Sequence, residues 1–68
     1  MATGTVKWFN TTKGYGFIAP DSGGKDVFVH ISAVERSGLT GLADNQKVTY
    51  DLEAGRDGRE AAVNLALA

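Results

Sequence analysis

A chain of 68 residues with no cysteine is long enough for one small domain, and it excludes a second core, a disulfide framework and a cysteine-based zinc site. Seven Lys and Arg against eight Asp and Glu leave a net charge of −1, which excludes polyanion binding by bulk positive charge and requires any nucleic-acid site to be local. No window approaches the roughly 18 apolar residues of a membrane span, and Met1–Asn10 lacks the basic start and apolar run of a signal peptide, so a cytoplasmic location is expected.

Nine glycines spread along the chain, with short apolar runs between them and no sustained i, i+3, i+4, i+7 pattern, place it in the all-β class. The first predicted strand is Thr3–Asn10, "TGTVKWFN", rich in β-branched and aromatic residues. The turn "TTKG" leads to a second at Tyr15–Pro20, and "PDSGGK" is a connection of hairpin length to a third at Asp26–Ile31. After His30, "SAVERSGLTGLADNQ" has no strand pattern; a short helical turn at Ser32–Val34 and a long loop anchored by Leu39 and Leu42 are expected. The fourth strand, Lys47–Glu53, alternates with Val48, Tyr50 and Leu52 inward and Thr49, Asp51 and Glu53 outward. "AGRDGR" turns the chain into a fifth strand near Ala61–Leu65. Five short strands with a long connection after the third predict an all-β, antiparallel, five-stranded Greek-key barrel, one domain over residues 1–68. Closure removes the edges that an open sheet would leave exposed.

Alternation divides the second and third strands into two sets of side chains. Ile18, Val27, Val29 and Ile31 are aliphatic; Tyr15, Phe17, Phe28 and His30 are planar rings. The lumen of a five-stranded barrel holds one layer of side chains, so the aliphatics claim it and the rings are left outside. Trp8 joins the rings if a bulge near Lys7–Trp8 separates it from Val6, whose parity it shares, and the same bulge decides between core and surface for Phe9. An outward cluster of rings marks a binding surface. Gly14 and Gly16 beside it leave room for a ligand or for a bend in the strand.

Lys7, Lys13 and Lys25 stand around the rings, with Arg56 and Arg59 in a loop able to fold over one end. Lys25 is the nearest of these to ordinary solvated surface. Rings flanked by cations suit single-stranded nucleic acid, whose bases stack at about 1–3 kcal/mol each while cations follow the phosphates. Asp44, Asp51, Glu53, Asp57 and Glu60 are expected to form an acidic far side that confines the ligand to one face. His30, the single histidine, has no Cys or second His with which to hold a metal and no nucleophile beside it, so stacking is its expected role.

The ordered set "KWFN", "KGYGFI" and "DVFVHIS" resembles the bacterial cold-shock proteins, with "KGYGFI" similar to their RNP1 motif and "VFVHI" to RNP2. The likeness covers essentially the whole chain. It implies an OB-type barrel, a non-enzymatic protein that binds single-stranded RNA and DNA with low sequence preference and melts RNA structure, with roles in transcription and translation during cold adaptation. It assigns stacking to Trp8, Tyr15, Phe17, Phe28 and His30, and polar or phosphate contacts to Lys7, Lys13, Asp26 and Arg56. Such proteins usually carry Phe where this chain has Ile31 and Leu39, so a shorter platform and weaker binding are expected. No cofactor, metal, small-molecule substrate or membrane is expected, and a monomer is. The alternative is a small barrel that uses the same face for protein or oligosaccharide recognition.

Overall fold

The computed structural model describes residues 2–54 and 60–68. Strands β1 (Ala2–Asn10), β2 (Tyr15–Pro20) and β3 (Val27–His30) are followed by helix α1 (Ile31–Arg36) and strands β4 (Lys47–Ala54) and β5 (Glu60–Leu67). The strands close into a barrel in the order β1-β2-β3-β5-β4, the five-stranded closure expected of the sequence. Every pairing is antiparallel except β3 with β5, which meet in parallel at Phe28 and Ala61.

The lumen is filled as the alternation requires. Val6, Ile18, Val29 and Val48 are fully buried, with Val27, Tyr50, Ala62 and Leu65 beside them, and Val34 of α1 adds to the same core. These are mainly β-branched side chains, which pack well on a pleated surface and fit a narrow barrel. Leu42 is buried and Leu39 packs against the core, so both hold the loop between α1 and β4. Burial of Tyr50 raises the pKa of its hydroxyl above the ordinary 10.0, and the nearby Asp21 carboxylate acts in the same direction.

Three expectations are corrected. Ile31 is not a strand residue: β3 ends at His30, and Ile31 opens a six-residue helix longer than the expected turn at Ser32–Val34. Its side chain is half-buried and is absent from the core. Leu52 keeps inward parity opposite the buried Ala62 but is 49% exposed, because it stands at the open end of the barrel beside Ala2 and Pro20. Gly16 does not leave room for a ligand. A Cβ there would run into the Trp8 carbonyl oxygen and come within 2.7 Å of the Phe9 Cα, so the space a side chain would need is taken by the backbone of β1.

Gly14 serves the turn before β2, with φ +83° in the left-handed region. The Asn10 carboxamide oxygen accepts from the backbone N–H groups of Thr12 and Lys13 at 2.9 and 3.0 Å, and the Gly14 N–H closes the turn on the Asn10 carbonyl at 2.8 Å. This local bonding fixes where Tyr15 begins its strand.

Gly16→Ala is therefore expected to destabilise the fold by about 1–3 kcal/mol or more, as overpacking does where backbone cannot retreat. Urea unfolding of the variant checks this; an unchanged midpoint contradicts the contact.

Candidate nucleic-acid interface

The register of β1 on β2 slips between Val6 and Trp8. Val6 opposes Ile18 in the core, and after the extra residue Trp8 opposes Phe17 on the outside. The bulge at Lys7 thus resolves the conflict of parity, as bulges that re-aim a side chain do. It also settles Phe9, which lies opposite Gly16 and packs against the core.

Two registers of outward residues follow. Trp8, Phe17 and Phe28 lie side by side across β1, β2 and β3, and the next row aligns Tyr15 with His30. The rings form a continuous cluster. Trp8 contacts Tyr15 and Phe17 edge-on, each at 5.5 Å between centroids, and Phe17 meets Phe28 edge-on at 5.9 Å. Tyr15 stacks on Phe28 at 5.9 Å, and His30 follows Phe28 at 6.3 Å. Such pairs hold one another's orientation, each worth about 0.5–1.5 kcal/mol beyond area burial. None of the five belongs to the buried core, and Trp8 is 38% exposed. All five predicted stacking residues are brought together.

His30 has a second task. Its Nδ1 accepts the Ser32 N–H at 3.1 Å and lies 2.9 Å from the Ser32 hydroxyl, capping α1. An accepting Nδ1 puts the proton of the neutral ring on Nε2 and fixes the ring plane. Beyond His30 the ring series stops, since Ile31 enters the helix and Leu39 turns to the core.

The cations are less uniform. The Lys7 ammonium lies 3.0 Å from an Asp26 carboxylate oxygen, so these two predicted contact residues hold each other across β1 and the start of β3. Both are well exposed, and such a pair contributes at most about 1 kcal/mol; a phosphate can compete for Lys7. Lys13 makes no ion pair with any described residue. Lys25 and Asp26 line, with Phe17, Phe28, Leu52 and Glu60, an open cavity of about 630 Å³ at the mouth of the barrel. Arg56 and Arg59 lie outside the described residues.

The acidic far side is corrected at Glu53 and Glu60, while Asp57 lies outside the described residues. Glu60 lines the same cavity as Phe17 and Phe28, and Glu53 lines a smaller pocket with His30. Carboxylates therefore border the rings along β4 and β5. The sequence carried no signal for this, because the contact of β5 with β3 joins residues 28 and 61 across a connection whose register no local pattern sets. No group of three or more His, Cys, Asp or Glu among the described residues could hold a metal ion.

The family model described as the "'Cold-shock' DNA-binding domain" matches residues 2–67. The probable cold shock protein y4cH of Sinorhizobium fredii is 65% identical over 96% of both chains. The cold shock protein CspA of Rhizobium meliloti is 58% identical over 100% of both. The glycine-rich protein 2 of Nicotiana sylvestris is 50% identical over 94% of this chain, which covers 30% of that longer protein. This chain belongs to the cold-shock domain family, a class of non-enzymatic, nucleic-acid-binding proteins, and its closed barrel is the OB-type fold of that family. No described helix is long and apolar enough to cross a membrane.

Phe28→Ala is expected to weaken strand binding by about 1–3 kcal/mol per stacked base lost, with a stability loss well under the roughly 3–5 kcal/mol of a core Phe deletion. Paired binding and unfolding titrations read both; a core-sized loss of stability contradicts the outward placement.

Proposed function

We propose that this protein binds single-stranded RNA and DNA through the outer face of β1, β2 and β3, and acts as an RNA chaperone. The observation that carries the reading is the continuous series of five rings, Trp8, Tyr15, Phe17, Phe28 and His30, outside a barrel whose lumen is already filled by aliphatic side chains and Tyr50. Flat rings receive bases of any sequence, and Lys7 and Lys13 at the β1 side draw the phosphates.

Binding to unpaired strands and not to duplex shifts hairpins toward the open form by mass action, with no nucleotide hydrolysis required. A platform that ends at His30 binds weakly enough for a ribosome or polymerase to displace it. Roles in transcription and translation, action as a monomer and a cytoplasmic setting belong to the same proposal. The whole chain acts as one strand-binding domain.

Trp8 sits within the ring cluster, so its fluorescence reports occupancy. Titration with a short oligothymidine is expected to quench it, while the matching duplex leaves it unchanged. With two to four phosphate contacts, log affinity is expected to fall against log salt with a slope of about −0.7 per contact. Unchanged emission at low salt contradicts strand binding, and salt-independent binding favours docking of an uncharged ligand or protein.

A further inference from the structure

The five rings of the outer face are not held equally. Trp8, Tyr15, Phe17 and Phe28 each touch more than one other ring, so packing from several directions fixes their planes. His30 stands at the end of the series, is exposed, and among the described residues meets one ring, that of Phe28, at 6.3 Å and a tilt of 38°. Rotation about the last side-chain bond of a histidine is soft and roughly two-fold. A neighbour on one side therefore leaves open the half-turn that exchanges Nδ1 with Cδ2.

Ser32 closes that freedom. Its backbone N–H donates to His30 Nδ1 at 3.1 Å, and its Oγ lies 2.9 Å from the same nitrogen. A half-turn of the ring would put carbon in place of Nδ1 and lose both contacts. The change from strand to helix at Ile31 makes this possible: it folds Ser32 back to the ring, where a continued strand would carry it about 6.6 Å ahead of His30. Ser32 is itself exposed, and its hydroxyl makes no other hydrogen bond among the described residues. The neutral ring is left with one N–H donor, at Nε2, on the side away from Ser32.

We propose that Ser32 is a positioning residue for strand binding, which keeps the His30 ring in one plane so that a base meets a surface already formed. The inference rests on the strand-binding reading above and gives a part in it to a residue outside the ring series. A side chain ordered before the ligand arrives spares the cost of ordering it on binding. The other four rings obtain that order from one another. His30, with a ring on one side only, obtains it from the first turn of α1.

The test is Ser32→Ala, which removes the hydroxyl and keeps the backbone donor, titrated by Trp8 fluorescence with an oligothymidine long enough to run from Trp8 to His30. Binding is expected to weaken roughly two- to fivefold, with an unfolding midpoint close to that of the native protein. Ser32→Thr restores a hydroxyl and is expected to recover the native affinity. In a His30→Phe background, which keeps a stacking ring but has no Nδ1, Ser32→Ala is expected to cost nothing, because the two residues act as one unit. NOEs between the His30 ring and Ser32 in the free protein read the hold directly, and they stand even where His30→Phe fails to fold. A single ring orientation is expected in the native protein and in Ser32→Thr, and an average of two in Ser32→Ala. Native affinity in Ser32→Ala, a ring that keeps one orientation without the hydroxyl, or an equal loss in the His30→Phe background overturns the assignment. Failure of the native protein to bind oligothymidine is a separate result: it removes the strand-binding reading and the positioning role with it.

Discussion

The volume of the barrel lumen governs the rest of the molecule. Five strands enclose space for one layer of side chains, and Val6, Ile18, Val29 and Val48, all fully buried, take it. Tyr50 of β4 shares that interior and Phe9 packs against it, while the rings Trp8, Tyr15, Phe17, Phe28 and His30 are left outside by parity. In so small a domain apolar area outside the core forgoes stabilisation that is scarce, so its retention is a feature of function. The cluster limits its own exposure through ring-on-ring contacts at 5.5 to 6.4 Å.

The bulge at Lys7 is the local device on which the platform depends. Without the slipped register Trp8 would share the inward parity of Val6, and Phe9 would face out. With it, a single extra residue sends Trp8 to Phe17, leaves Phe9 against the core and carries Lys7 to Asp26. Gly16 completes the arrangement, because only a residue without Cβ fits against the Trp8 carbonyl. A sequence feature that reads as space for a ligand is space for a neighbouring strand.

This contrast shows which parts of the structure the sequence made legible. Strand positions, the division of aliphatics from rings and the need for a bulge all follow from short-range alternation, and β2 is bounded as the pattern predicts, Tyr15–Pro20. The end of β3 was not legible, because His30 leaves the strand to cap α1 through a bond to Ser32 that alternation cannot see. The exposure of Leu52 depends on where the barrel opens. The place of Glu53 and Glu60 beside the rings depends on the pairing of β5 with both β3 and β4, which joins segments distant along the chain. A net charge of −1 thus conceals an uneven surface, with Lys7 paired to Asp26 beside the rings on one side and Glu53 and Glu60 beside them on the other.

The central claim is that the ligand lies on the outer rings of β1, β2 and β3. Amide and ring resonances followed by NMR during titration with a single-stranded oligonucleotide test it most directly. The account predicts shifts concentrated at Trp8, Tyr15, Phe17, Phe28 and His30, with Thr3 and Thr49, paired across β1 and β4, left unmoved. Shifts centred on Thr3 and Thr49, with the rings silent, would contradict it.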